Sequence, residues 1–226
     1  SVRRTVDEVV KAAESMIANG VDVVDVGGMS TAPYNKTVIS ADEEINRVVP
    51  AIKALRKEFP ELTISIDTFR ARVAEAALEA GADIVNDVTG LKGDKDIVRT
   101  IADHGASVII MARERVPGPG GDPVSRTVNA LRESIEVALD SGVKDDGIVI
   151  DPGVGAWPPL SIDPILTGGE PLKGDYIRGD KTYPWYSWDS IIITNINRIR
   201  SELNRPILIG ISRKSFLERL MRRKAP

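Results

Sequence analysis

The sequence predicts an α/β fold built on a parallel sheet, and two observations support this prediction. Six short runs rich in branched apolar residues each stop abruptly at polar residues, and each is followed by a stretch with helical apolar spacing. The runs cover residues 21–28, 63–68, 83–88, 107–113, 147–153 and 206–214. Continuous apolar runs are typical of strands that are covered on both faces, and strands alternating with helices are typical of parallel sheets.

The stretches that follow these runs carry the apolar periodicity of amphipathic helices. Helices are predicted over residues 4–18, 40–57, 70–80, 94–103, 188–203 and 213–221, with another from 122 or 125 to about 141. Most of them end close to a glycine, and Ser40 with Glu43 forms a capping-box pattern. Between Gly153 and the helix at 188 the regular pattern stops, so we expect a long irregular segment over a functional face.

Two parallel architectures fit this alternation of strands and helices. A doubly wound sheet usually carries a glycine-rich phosphate-binding turn after its first strand, and the sequence has neither that motif nor a P-loop. A (β/α)8 TIM barrel distributes polar residues over the ends of many strands, as this sequence does. We therefore predict one barrel domain over residues 1–226. Because six strands are counted, we expect the first and last strands to lie outside these residues, so that the barrel is incomplete at both ends.

Composition narrows the possible functions. With 226 residues, of which 42% are hydrophobic, the chain can bury one sizeable core. Its net charge of −3 offers no attraction for nucleic acid, and it has no cysteine for disulfides or thiolate metal sites. It also has no apolar stretch of membrane-spanning length. We expect a cytoplasmic protein that binds neither nucleic acid nor membrane, with its one histidine, His104, on the surface at a helix C-terminus.

The polar residues at the strand ends are the candidate functional residues. They are Asp25, Asp67, Asn86, Met111, Asp151 and Lys214. Because the carboxyl ends of parallel strands gather at one edge of the sheet, they are expected to share one pocket. Two carboxylates and an amide suit a flat heterocycle with adjacent N–H groups, and a lysine suits a ring carbonyl or nitrogen. Alternatively, Asp67 and Asp151 only cap the helices that follow them.

Five motifs in this sequence resemble the dihydropteroate synthase family, in the order that the family has them. They are DVGGMST at 25–31, SIDT at 65–68, NDVTG at 86–90, DPGVG at 151–155 and GISRKSF at 210–216. The resemblance implies an eight-stranded barrel that condenses a 6-hydroxymethyl-dihydropterin diphosphate with 4-aminobenzoate. The products are dihydropteroate and diphosphate, in the biosynthesis of a folate-type coenzyme.

The resemblance also assigns roles to residues of this chain. It places Asp67, Asn86, Asp151 and Lys214 in the pterin pocket, with Met111 packed on the pterin face. Asp67, Asp151 and Lys214 are the catalytic candidates, and the two carboxylates are expected to stabilise the positive charge that develops on the ring.

The second substrate and the leaving group lie on the other side of the implied site. The resemblance places Thr31 near the diphosphate and the aminobenzoate, and Ser215 near the aminobenzoate carboxylate at a helix N-terminus. Asp25 is expected to support the loop after the first strand. The resemblance further implies Mg²⁺ for the leaving diphosphate, with ligands that we do not assign, and a homodimer as the partner state.

Three departures from the family pattern affect this second side. The family's STRPG loop reads STAPY here, so Ala32 replaces an arginine, and Ala112 and Arg113 follow SVIIM where a histidine is usual. After DPGVG, residues 156–158 read AWP in place of an aromatic followed by glycine and lysine. These changes are compatible with a related arylamine as substrate, as in a methanopterin-type pathway. An alternative is a pterin-binding module, such as the barrel of a corrinoid-linked methyltransferase, that lacks the arylamine site.

Overall fold

The computed structural model describes residues 5–31, 38–116, 121–155, 158–170 and 185–211. Within these ranges, five strands form one parallel sheet whose spatial order follows the chain order. They are β1 (Val23–Gly27), β2 (Thr63–Asp67), β3 (Ile84–Asp87), β4 (Ser107–Met111) and β5 (Ile148–Asp151). Five of the predicted strands are thus confirmed, each slightly shorter than its apolar run.

The sixth predicted strand is described only at its start, where it joins the sheet beside β5. Ile207 forms a parallel bridge with Ile150, whose N–H donates to the Pro206 carbonyl at 3.0 Å and whose carbonyl accepts from Leu208 N–H at 2.9 Å. The rest of that run, from residue 212, lies outside the described residues. A strictly sequential order is the order of a (β/α)8 barrel, whereas a doubly wound sheet reverses its order. The predicted fold class is confirmed, and the strands expected beyond the chain ends stay a prediction.

Helices cover the face of the sheet that carries the apolar core, except for the short helix over residues 164–167, which packs against the loops after β1 and β2. The helices are α1 (Val6–Ala18), α2 (Ala41–Glu58), α3 (Ala71–Glu79), α4 (Ile97–Asp103), α5 (Pro123–Asp140), α6 (Pro164–Thr167), α7 (Trp185–Thr194) and α8 (Ile196–Leu203). Alternate strand residues such as Ile66, Val85, Ile110 and Ile150 point to this face and are fully buried. No helix in the described ranges is both long and apolar enough to span a membrane.

Two predictions about the C-terminal half were wrong in detail. The segment after Gly153 is not wholly irregular, because Asp163 caps the short helix α6 through a 2.9 Å bond from Ile165 N–H, with Pro164 at its first position. The helix predicted over residues 188–203 is interrupted at Asn195, which separates α7 from α8, and the helix predicted over 213–221 lies outside the described residues. The Asn195 amide donates to the Ile191 carbonyl at 2.8 Å and so satisfies the end of α7.

The helix ends otherwise follow the sequence. Asp122 accepts hydrogen bonds from Val124 and Ser125 N–H, both at 3.1 Å, so α5 begins at Pro123 rather than later. Ser40 accepts from Glu43 N–H at 3.1 Å, which is half of the predicted capping box. His104 lies exposed at the C-terminal end of α4, as predicted, with Nδ1 2.9 Å from the Thr100 carbonyl oxygen.

Candidate functional site

The strand register places the predicted site residues on one face of the sheet. Asp67 is level with Asn86 on β3, and Met111 is level with Asp151 on β5. Asn86 is also level with Ile109, two residues before Met111, so all four side chains point the same way. Asp25 lies two residues before Gly27, which is level with Asp67, and shares that face. The face is opposite to the one that the helices cover.

Asp25 and Asn86 contact each other across the intervening strand β2. Asn86 Nδ2 donates a hydrogen bond to Asp25 Oδ2 at 3.2 Å. Because a carboxylate only accepts, this bond directs the NH₂ group of Asn86 toward β1 and its amide oxygen away from β1. Asp25 therefore orients a neighbouring pocket residue, a contact that the sequence did not predict.

The carboxyl of Asp67 is strongly perturbed. Its Oδ1 is buried without a hydrogen-bond partner among the described residues, although the side chain as a whole is partly exposed. Burial raises the pKa of the Asp67 carboxyl well above its ordinary value, and the negative charges of Asp25, Glu44 and Asp87 raise it further. An unpartnered buried acceptor is costly in a folded protein and is typical of a ligand site.

Asp67 is not the cap of the helix that follows it. The first N–H group of α3, that of Ala71, donates instead to Asp94 Oδ2 at 2.8 Å, and Arg70 makes no side-chain cap bond. The purely structural interpretation of Asp67 as a helix cap is therefore wrong.

Asp151 combines a structural contact with a place in the pocket. Its Oδ1 accepts a hydrogen bond from Gly153 N–H at 2.7 Å, which organises the turn of the DPG motif. Its carbonyl oxygen accepts from Ala112 N–H at 2.7 Å, so pairing with the β4 segment continues to the end of β5. Its side chain lies on the same face of the sheet as Asp67 and Asn86, so the carboxylate that organises the turn also lies at the strand ends of the site.

The turn after β3 is built by the residue next to Asn86. Asp87 points to the helix side, where its Oδ1 accepts from Thr89 N–H at 2.6 Å and its Oδ2 from Leu91 N–H at 2.9 Å. Burial raises the pKa of Asp87, while its bonds to Thr89 and Leu91 lower it. The turn then passes so close to β4 that a Cβ atom on Gly90 would lie 2.6 Å from the Met111 carbonyl oxygen.

Gly90→Ala is therefore expected to destabilise the protein by about 2 kcal/mol or more, because a left-handed backbone strains alanine. Gly90 has φ +68°, and the close Met111 carbonyl adds a steric clash to the strain. Chemical denaturation is the measurement. Gly105→Ala is the matched control, since Gly105 has φ +61° with nothing within 4 Å of its Cβ position. Equal losses in the two variants would contradict the close approach.

A small apolar cluster joins three loops at the same end of the sheet. Met29 after β1, Phe69 after β2 and Ile165 in α6 are buried against one another. Thr31, predicted to lie on the diphosphate side, is partly buried two residues beyond Met29. The segment after β5 thus reaches across to the loops after β1 and β2. The sequence did not predict this contact, because the three residues are far apart in the chain.

Two buried ion pairs near the strand ends were also missed. Glu44 in α2 pairs with Arg70, and Arg113 after β4 pairs with Asp163 before α6. Glu44 interrupts the buried stripe of α2, and this position is a signal that the sequence contains. Arg113 and Asp163 are 50 residues apart, with no pattern that links them.

Several predicted residues lie outside the described part of the chain. They are Lys214 and Ser215, together with Ala32, Tyr34, Ala156 and Trp157 in the altered loops. Among the residues that the structure describes, no group of three or more His, Cys, Asp or Glu side chains is placed to hold a metal ion.

The chain is similar to known proteins over most of its length. Residues 1–161 match the family model described as pterin binding enzyme. The chain is 38% identical over 212 residues to the dihydropteroate synthase of Clostridium beijerinckii, covering 94% of this chain and 68% of that protein. It is 32% identical over 217 residues to the Bacillus subtilis enzyme, covering 96% of this chain and 66% of that enzyme. The chain therefore spans about two thirds of the length of these relatives.

Solved structures give the same result. A dihydropteroate synthase from Clostridium difficile, crystallised in the presence of pteroic acid, has a TM-score of 0.79 and 33% identity, covering 97% of this chain and 72% of its own. A Xanthomonas albilineans dihydropteroate synthase with 4-aminobenzoic acid has a TM-score of 0.75 and 28% identity, covering 98% of this chain and 70% of its own.

Proposed function

Because the chain belongs to the dihydropteroate synthase family of pterin-binding enzymes, we propose that it condenses 6-hydroxymethyl-dihydropterin diphosphate with 4-aminobenzoate or a related arylamine. The products are dihydropteroate, or its analogue, and diphosphate. The observation that carries this proposal is the gathering of Asp67, Asn86 and Asp151 on one face at the carboxyl ends of β2, β3 and β5.

These three residues supply the hydrogen-bonding groups that a pterin ring requires. The two carboxylates accept from ring and exocyclic N–H groups, and the amide of Asn86, oriented by Asp25, complements the ring edge. Met111, which is 2% exposed, provides an apolar surface at the same level as Asp151. Lys214 is proposed to complete the pocket, and Thr31 and Ser215 to contact the aminobenzoate side, on the strength of the motifs that contain them.

The reaction breaks the bond between the methylene carbon and the diphosphate oxygen and forms a bond from that carbon to the arylamine nitrogen. The amine gives up a proton, and diphosphate leaves with the electron pair. Positive charge develops on the pterin, and ionised Asp67 and Asp151 stabilise it electrostatically. Positive charge on the ring lowers the pKa of an adjacent carboxyl, so the charge that develops as diphosphate leaves opposes the effect of burial on Asp67.

We propose Mg²⁺ as the cation that accompanies the diphosphate of the substrate. The described residues do not form a carboxylate or histidine cluster of the kind that holds a resident metal ion, so we assign no ligand to this chain. An ion that enters with the diphosphate needs no such cluster, because phosphate oxygens and water supply most of its coordination.

We also propose that the protein is a homodimer and that it is located in the cytoplasm. α8 is amphipathic: it buries Ile199 and leaves Asn197, Arg200 and Ser201 exposed, and we propose that a second copy of the chain covers this exposed side. Sedimentation velocity of the purified protein measures the mass and hence the state of association. Fractionation of expressing cells checks the location.

The proposed transferase activity predicts that the protein releases diphosphate. Protein incubated with Mg²⁺, the pterin diphosphate and 4-aminobenzoate is expected to release diphosphate in step with dihydropteroate formation, measured by a coupled phosphate assay and mass spectrometry. Omission of the arylamine or addition of EDTA is expected to stop the release.

The alternative function gives a different result in the same assay. A pterin-binding module, which the Ala32 substitution favours, would bind the pterin and release no diphosphate with 4-aminobenzoate or any related arylamine. That outcome would contradict the transferase. The dihydropteroate synthases among the relatives favour catalysis.

A further inference from the structure

Behind the strand end that carries Asp67, one buried carboxylate connects separate parts of the chain. Glu44 of α2 is 1% exposed. Its Oε1 accepts a hydrogen bond from Thr68 Oγ1 at 2.9 Å, and its Oε2 accepts from Arg70 Nη1 at 2.6 Å. Thr68 follows Asp67 directly in the chain. Glu44 therefore holds the main chain immediately after the candidate catalytic carboxylate.

The same part of α2 also holds the turn after β1. A Cβ atom on Gly28 would lie 2.9 Å from Val48 Cγ1 and 3.1 Å from the Glu44 carbonyl oxygen, so only glycine fits without a shift. The Gly28 carbonyl oxygen accepts from Arg47 Nη1 at 2.9 Å. The turn of the DVGGMST motif and the segment after β2 are thus attached to the same helix.

The stability of the fold does not by itself explain why the chain has a buried ion pair at this place. Removing two charges from water costs about as much as their attraction returns, and an apolar pair of similar size often serves equally well. The Glu44 side chain is 1% exposed and that of Arg70 is 19% exposed, so the carboxylate is the deeper group. In this structure the pair lies next to Asp67, and the function of that residue supplies an explanation for the pair.

Asp67 faces negative charge from three elements. These charges are Asp25 on β1, Asp87 on β3 and Glu44 on α2. Arg70 is the cation paired with Glu44, and Lys214 lies outside the described residues.

We propose that Glu44 and Arg70 form a positioning pair for Asp67. The pair fixes the chain after Asp67 against the turn after β1, and Arg70 limits the negative charge that Asp67 faces from α2. The inference deepens the proposed function and relies on it for the role of Asp67.

The two partners act on Asp67 with opposite sign. Glu44→Gln removes an anion and leaves the Arg70 cation, so it lowers the pKa of Asp67. Arg70→Met leaves the Glu44 anion uncompensated, so it raises the pKa of Asp67. The pKa of Asp67 in the double variant is expected to lie between its values in the two single variants. If the pair only stabilised the fold, both single variants would be less stable than the wild type. The pKa of Asp67 would then not shift in opposite directions in the two variants.

The test is a carboxyl ¹³C NMR titration of the ligand-free protein, in which Asp67→Asn identifies the Asp67 resonance. The midpoint is expected to fall in Glu44→Gln and to rise in Arg70→Met, each by about half a pH unit or more. The acidic limb of kcat/KM for the pterin substrate is expected to move in the same directions. Glu44→Gln keeps an acceptor for Thr68, so it supplies the measurement if Arg70→Met does not fold.

The matched control is the neighbouring pair Asp42 and Arg72. It joins the same two helices at 2.7 Å, but both side chains are 67% exposed. Asp42→Asn with Arg72→Met is expected to leave the Asp67 midpoint unchanged. Midpoints that do not move in the Glu44 and Arg70 variants, or that move in the same direction, would overturn the proposal. The titration needs no substrate, so a wild-type protein that releases no diphosphate would refute the function and leave this test intact.

Discussion

Asp67→Asn is expected to reduce kcat/KM for the pterin diphosphate by about 10²–10³-fold, the usual cost of removing one preorganised stabilising group. The amide keeps the shape of the carboxyl but cannot oppose positive charge on the ring. Diphosphate release under saturating arylamine measures the loss. The acidic limb that ionisation of Asp67 produces in the wild-type profile is expected to disappear in the variant.

The same substitution is expected to leave stability equal or higher at neutral pH. Because the pKa of Asp67 is raised in the folded state, the folded protein holds this proton more tightly than the unfolded chain does. The contribution of Asp67 to wild-type stability therefore falls as the pH rises from its ordinary pKa through the raised one. Asparagine does not ionise, so the variant lacks this loss.

Asp22→Asn is the control for this substitution. Asp22 is exposed and directly precedes β1, at the opposite end of the sheet from the site. It is expected to change neither kcat/KM nor the melting temperature. Full activity of Asp67→Asn would remove Asp67 from the catalytic mechanism, and a large fall in its melting temperature would assign it a structural role.

Arg113→Met is expected to lower the free energy of unfolding by about 3–5 kcal/mol, because it leaves a buried carboxylate without its partner. Arg113 Nη2 donates to Asp163 Oδ2 at 2.5 Å, and the two side chains are 2% and 4% exposed. Arg113 also donates to the carbonyl oxygens of Val88 at 3.0 Å and Pro158 at 2.8 Å. Urea denaturation followed by circular dichroism is the measurement.

A second variant separates the unpaired charge from the lost contacts. Arg113→Met with Asp163→Asn removes both charges, while the asparagine oxygen can still cap α6 through Ile165 N–H. The double variant is expected to recover part of the stability that Arg113→Met loses. A single variant as stable as the exposed-pair control Arg72→Met would contradict this account of the buried pair.

Arg113 also explains one departure from the family pattern. After SVIIM the family usually has a histidine, and this chain has Ala112 and Arg113. Arg113 ties the turn after β3 to the segments after β5, and Ala112 is buried beside Asp151. Arg113 therefore holds together the loops around the site.

The strands and the residues at their ends could be predicted from the sequence because both are local properties. Branched apolar runs predict buried strands, and parallel connections bring their carboxyl ends together, so Asp67, Asn86 and Asp151 could be grouped from the sequence alone. Boundaries were less certain, since a helix end depends on which nearby side chain caps it, as at Asn195.

What the sequence by itself determined is therefore the parallel α/β fold and the polar residues that its strand ends present. Only the tertiary structure decided which side chains pair: Asp25 with Asn86, Glu44 with Arg70, and Arg113 with Asp163. These partners are 61, 26 and 50 residues apart. The physical reason is that periodicity along the chain reports burial, whereas the pairing of buried charges depends on distances that exist only after the loops have packed.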